Sequence, residues 1–374
     1  MSLILLINEG EEDLNDEFKY YFSKKFKAIY DLAFGKNFCH IINIKKIQSY
    51  NFKNGDFCLL CFYPKLDELK KLKKYINDKY SYLGMNLADS QQYLSEIFSY
   101  YAKFLDFCFT GELGESFMYE SFYGIASFHH PLFIIKTKNI FEKPSKLDES
   151  CKRIFDFVHC GRIDNERRGR NEIYNNLKNS KIKFLFIGPS KNCKFLKMRE
   201  LHGNFRKCKF GIVNASAPSS NPLSKRKITY QHQFKGKIWE YMVAGCIPVL
   251  DHAPNSYAFE MKEGVNYFRL SDFSEKNLES LLENDESIIN KMREENFNLI
   301  KKYCSINSLK KKFNLFSESS MLHTSKNQEI SIFYELICKA SYDYSILRKK
   351  FSFSIIFSGF YFYKIFNKFF SKFL

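Results

Sequence analysis

With 374 residues, 45% hydrophobic and 26% charged, the chain has enough apolar surface for two ordinary α/β cores and a tail, which excludes a disordered protein. Its net charge of +17 calls for an anionic partner, and eleven cysteines without framework spacing fit a reducing cytoplasm rather than a disulfide scaffold. No zinc-finger spacing, RNP-like strand or KH-type loop organises the charge, so no nucleic-acid partner is expected.

The opening segment SLILLI has no basic stretch before it and an acidic one after it, the wrong order for a secretory signal, and is predicted to be a first buried strand. CHIINI, DFCLLCFY and DFCFTG read as further strands, with amphipathic helices in LDELKKLKKYINDKY and QQYLSEIFSYYAKFL. Such alternation predicts a parallel sheet covered on both faces, here a first Rossmann-like domain over residues 1–135. Cys58 and Cys61 have CxxC spacing, but they lie in an apolar run with no second pair or His, so they read as core rather than a zinc site. After the first strand, INEGEED puts acid where a dinucleotide fingerprint would hold pyrophosphate, which disfavours a nicotinamide or flavin enzyme.

A basic, Pro-containing stretch makes residues 136–154 the expected linker. The alternation then restarts over residues 155–317: strands in FDFVHCGRI, IKFLFIG, CKFGIVNA, CIPVLD and VNYFRL, and helices around NEIYNNLKN, GKIWEYMVAG and residues 274–304. The fold class that follows is α/β, with two Rossmann-like doubly wound domains facing a cleft, and function is expected in the loops after the strands.

Residues 318–374 are aromatic and basic and are expected to form a helical tail. Its uncharged run, Phe351 to Tyr363, is shorter than the ~20 apolar residues needed to span a bilayer. Lys364, Lys368 and Lys372 recur at four-residue spacing, so a helix gathers them on one face and leaves Phe366, Phe369, Phe370 and Phe373 on the others. That pattern is expected to rest on an anionic membrane surface; a helix packed on the protein with solvated lysines is the competing reading.

The most informative segment is KGKIWEYMVAGCIPVLDHAPN, residues 235–255, where a helix ends at Gly245 before a buried strand. A carboxylate at Glu240 suits the two hydroxyls of a ribose, and the helix start with Lys235 or Lys237 favours phosphate; otherwise Glu240 and Lys237 are a solvated face and Gly245 a C-cap. This segment resembles the donor-binding helix of GT-B glycosyltransferases, both the large retaining superfamily and the exostosin-like group in which Gly-Cys-Ile-Pro-Val is common. The resemblance implies that Glu240 binds the ribose of a nucleotide-sugar donor.

HCGRIDNERRG carries Gly161-Arg162 and Arg168-Gly169, similar to the superfamily's Gly-Arg and Lys-Gly with one extra residue between. By that likeness Arg162 and Arg168 clamp the donor diphosphate, as two guanidiniums can in a water-poor cleft, whereas a surface basic cluster is the bland alternative. Gly188-Pro189-Ser190 falls where the family packs the nucleotide base, and Asn214 and Ser216 are expected on the cleft rim.

The chain departs from the retaining pattern at His232, where the first acid of a Glu-x7-Glu pair is usual, so the stereochemical course stays open. A general base near the acceptor has candidates in Glu9, Asp89, Asp106, Glu112 and His129 or His130; Glu9, Asp106 and His232 are carried as catalytic candidates. No Asp-x-Asp motif supports a metal-held donor, so no metal or other cofactor is expected.

The reading is of a cytoplasmic, peripheral glycosyltransferase that moves a sugar to a surface-glycan or lipid-linked acceptor. Its rivals are a non-catalytic membrane-surface or anionic-polymer binding protein on the same fold, and an enzyme transferring a phosphoryl or phospho-sugar group.

Overall fold

The structure is a computed structural model and describes residues 1–8, 19–87, 99–102, 104–111, 113, 116, 119–120, 124–130, 153–161, 168–188, 198–214, 234, 236–253 and 255–323. The expected linker up to residue 152, Glu9, Asp89, Glu112, Arg162, His232 and nearly all of the tail lie outside these residues.

The first domain is a six-stranded sheet in the order β2-β1-β3-β4-β5-β6, every neighbouring pair parallel. Its strands are β1 (Leu3–Ile7), β2 (Cys39–Asn43), β3 (Phe57–Leu60), β4 (Tyr82–Leu87), β5 (Phe107–Thr110) and β6 (Ala126–His129). Alternate residues bury opposite faces, so the central strands read as continuous apolar runs. Ile4, Leu6, Cys58 and Leu60 pack against Leu69, Leu72 and Ile76 of α2 (Leu66–Asn77). Leu3, Leu5, Phe57 and Leu59 face Phe26, Ile29 and Tyr30 of α1 (Lys19–Phe34).

Two of these strands are not anticipated by the hydrophobic pattern. β4, sequence YLGMNL, dilutes its apolar run with Gly84 and Asn86, and β6 is only ASFH. Gly84 is small for a packing reason, since a Cβ there would stand 2.3 Å from the Phe107 ring. Of the helix expected over QQYLSEIFSYYAKFL, the described part is α3 (Ser99–Ala102).

The second sheet runs β11-β10-β9-β7-β8, again parallel throughout. Its strands are β7 (Phe155–Cys160), β8 (Phe184–Ile187), β9 (Cys208–Val213), β10 (Ile247–Leu250) and β11 (Phe268–Arg269), with α4 (Arg168–Leu177), α5 (Met198–Phe205), α6 (Lys237–Val243), α7 (Glu275–Leu282) and α8 (Glu286–Tyr303) between or after them. Numbered within its own domain, the order is 2-1-3-4-5, and the crossover direction reverses between β7 and β9.

A last helix, α9 (Ile306–His323), runs through residue 317, the expected end of the second domain. It packs on the first sheet: Leu309, Phe313 and Phe316 join the cluster of α1 and the face of β1, β3, β5 and β6. Phe313 is fully buried, edge-on to Tyr30 and Phe34 at 5.3 Å each. Among the described residues no helix is long and apolar enough to cross a membrane.

Phe313→Ala should cost about 3–5 kcal/mol of stability, the range for emptying a buried phenylalanine site. Chemical denaturation checks this, and an unchanged midpoint would mean that α9 is not part of the first core.

Candidate functional site

In a sheet of this order, ligands meet the protein at the carboxyl ends of the strands flanking the reversal, here β7 and β9. The residues there form a linked set. Tyr241 of α6 accepts a hydrogen bond from the Cys160 backbone N–H at 3.1 Å and donates to the Ile212 carbonyl at 3.4 Å, spanning the two strand ends. Lys237, one turn earlier, donates its ammonium to the Cys160 carbonyl. On the other face His159 donates Nδ1–H to the Ile212 carbonyl at 3.1 Å, and its Nε2 has no partner among the described residues.

Glycine permits these approaches. A Cβ on Gly211 of β9 would stand 2.3 Å from the Tyr241 ring, so α6 lies closer to the sheet than any larger residue allows. Gly188, directly after β8, would put a Cβ 2.0 Å from the Gly161 carbonyl, and the Gly161 N–H donates to Ile187 O at 2.8 Å. The two loops that leave β7 and β8 therefore start in backbone contact.

The turn behind α6 is held from below. Gly245 takes a left-handed φ of 73°, and its carbonyl accepts from Nε of buried Arg293 at 3.1 Å. Arg293 also donates to Glu286 at 3.0 Å and Asn290 at 2.7 Å, so this charge, sunk in the apolar stripe of α8, is paired.

Lys237 and Arg170 bring two cations to these strand ends. Burial first, and then those two charges, hold His159 down to about 3, so its ring is neutral at physiological pH. Burial pushes the Cys160 thiol up despite Lys237 and Arg170, and Glu240 adds to that rise. Glu240 is half-buried on the first turn of α6, and its charge acts on both Cys160 and His202 of α5.

Of the expected donor residues, Gly188, Lys237 and Glu240 gather around the end of β7, Lys237 engaged with backbone. Arg168 opens α4 beside it, with its side chain outside the description, and Arg162 is outside altogether. Asn214 follows β9 at the same edge.

Asp106 lies elsewhere. It precedes β5, at the amino-terminal edge of a parallel sheet and so on the side away from the loops that follow the strands. Both of its oxygens take hydrogen bonds from Lys73, and it accepts the Leu83 N–H at 2.8 Å, a structural ion pair rather than a base facing a substrate.

Across from the crevice, the carboxyl edge of the first sheet supplies Gly111 and His129, which line a small hollow with Gly236, Trp239, Tyr303 and Lys312. His129 stacks at a tilt on Phe259 of the second domain, ring centroids 5.7 Å apart, and burial followed by the Lys312 charge holds it down to about 4. The two carboxyl edges therefore meet. Sequence reasoning passed over Tyr241, Trp239 and Lys312, although Tyr241 directly follows Glu240. Among the described residues no group of three or more His, Cys, Asp or Glu is placed to hold a metal ion.

No family model matches the chain, and no curated protein matches it. Among solved structures it is similar to HepE of Anabaena in complex with UDP and glucose, at 12% identity over 85% of this chain and 100% of that one, with a TM-score of 0.51. The HepE complex with UDP-glucose gives 13% identity with the same coverages and TM-score, and the UDP complex gives 11% and 0.50. The likeness is one of architecture, and this chain has the two-domain GT-B fold.

Tyr241→Phe should lower stability by about 1–3 kcal/mol, because the Cys160 N–H loses its acceptor in a part-buried place. Thermal unfolding of the variant checks this, and no loss would show the bridge to be incidental.

Proposed function

We propose that the chain is a glycosyltransferase that takes a nucleotide-sugar in the β7–β9 crevice and transfers its sugar to an acceptor held by the first domain. The observation that carries this reading is the placement of Glu240 and Lys237 beside the Gly161–Gly188 contact at the reversal point of the second sheet. HepE, of similar fold, has been solved with UDP-glucose.

In this reading Glu240 accepts from the ribose hydroxyls, and Gly188 leaves room for the base. Arg162 and Arg168, leading into and opening α4, neutralise the diphosphate, with Lys237 beside them. As the bond to the sugar breaks, negative charge grows on the departing diphosphate. Fixed cations stabilise that state more than the bound donor and so supply what a metal supplies elsewhere.

The proposed acceptor is a surface glycan or its lipid-linked precursor, and the proposed location is the inner face of the cytoplasmic membrane, reached through residues 318–374. Glu9 and His232 stay as proposals for the group that assists the acceptor or the donor. The exostosin-like resemblance rests on the Gly-Cys-Ile-Pro-Val segment alone.

Glu240→Ala should weaken UDP binding by about 1.5–3 kcal/mol in calorimetry, the range for hydrogen bonds to a charged group. Equal affinity of variant and parent would overturn the ribose assignment, and no binding of any nucleotide or nucleotide-sugar to the parent would favour a non-catalytic protein on this fold. The intact protein should sediment with anionic vesicles and release as salt rises, because surface attraction is screened within about 10 Å at 0.1 M. Equal sedimentation of a chain ending at residue 345 would remove the tail's role.

A further inference from the structure

Among the described residues, several half-buried lysines are engaged: Lys27 with Asp31, Lys73 with Asp106, Lys237 with the Cys160 carbonyl. Lys312 is different. It sits on α9, one residue before buried Phe313, and the helix thereby delivers its ammonium to the hollow between the two carboxyl edges. Among the described residues it has neither an ion pair nor a hydrogen bond, and its one close partner is the Tyr303 ring, 5.6 Å from Nζ to centroid.

We propose that Lys312 makes this hollow a receptor for an anionic substituent, a carboxylate or a phosphate, carried by a sugar in the cleft. The source of that sugar rests on the glycosyltransferase reading, whereas the preference for an anion is a property of the hollow itself. Position supports it. Gly236 and Trp239, which line the hollow, lie at the start of α6, the same short helix that carries Lys237 and Glu240, so the hollow adjoins the proposed donor site.

Chemistry supports it as well. Trp239, Phe259 and Tyr303 wall the space with aromatic rings, and these low-polarity walls strengthen a charge pair formed there relative to water. Burial already pushes Lys312 below the ordinary ammonium range, as expected where a charge is desolvated without compensation. His129 opposite is neutral at physiological pH, so it can exchange hydrogen bonds with a sugar without repelling or neutralising the anion. A neutral hydroxyl would also accept from Lys312, but a carboxylate or phosphate adds the attraction between two full charges, which a poorly solvated site screens less than water does.

The experiment is a calorimetric comparison of matched pairs on the full chain, its Lys312→Met variant and its Lys312→Arg variant. One arm sets UDP-glucuronate against UDP-glucose and reads a substituent on the donor. The other sets glucose 6-phosphate against glucose, with and without UDP, and reads one on the acceptor. The parent should prefer the anionic member of at least one pair by about 10-fold or more, the worth of one charge-assisted hydrogen bond. Lys312→Met should lose that preference, Lys312→Arg should keep it, and UDP alone should bind all three alike.

The arm that shows the preference identifies the source. Should neither pair be discriminated by the parent, or should Lys312→Met discriminate as the parent does, the proposal is wrong. If UDP and both UDP-sugars fail to bind the parent, the nucleotide-sugar reading falls instead, and glucose 6-phosphate without UDP still decides the role of Lys312. Circular dichroism confirms that the Met variant is folded.

Discussion

The return of the chain to its first sheet holds the two domains together. After completing a second sheet, the chain makes one more helix, and Leu309, Phe313 and Phe316 of that helix bury themselves on the face of β1, β3, β5 and β6. That face is apolar from Leu3 to Phe128, and α1 alone does not supply the phenylalanines that complete it. The hydrophobic effect therefore ties the end of the second domain to the first. Because α9 must follow α8 through the short turn at Cys304, the two carboxyl edges are kept facing each other. Lys312 enters the hollow for the same reason, as the neighbour of a residue that packing fixes.

The crevice in the second domain depends on a different constraint, the closeness of α6 to its sheet. Gly211 lets the Tyr241 ring lie against β9, and the hydroxyl then reaches across to both strand ends. With that distance set, Lys237 meets the end of β7 and Glu240 stands half-buried on the first turn. Arg293 secures the other end of the helix through the Gly245 carbonyl. A single side-chain volume, kept small on β9, thus bears on where Lys237, Glu240 and Tyr241 of one helix stand.

Much of this was legible in the residues. Long apolar runs bounded by turns place β1, β3, β5, β7, β8, β9 and β10, because strands buried on both faces need no polar alternation. The helix before Gly-Cys-Ile-Pro-Val is legible too, since Gly245 is a stop signal whose left-handed φ the structure shows. β4 and β6 were hidden, because Gly84 and Asn86 interrupt the first and the second is four residues long. α9 is not anticipated, since the expected helices stop at residue 304, and no local pattern names the sheet on which it lands.

The sequence by itself determined the two α/β units, their order and the segment that carries Glu240, because those follow from local periodicity and from turn chemistry within a few residues. Only the tertiary structure decided that Asp106 faces away from the cleft, that Tyr241 joins two strand ends, and that Lys312 and His129 share a hollow. Each of these depends on contacts between residues far apart in the chain. A carboxylate before a strand has the same local pattern whether its edge faces a ligand or solvent, and the parallel register of the assembled sheet makes the difference.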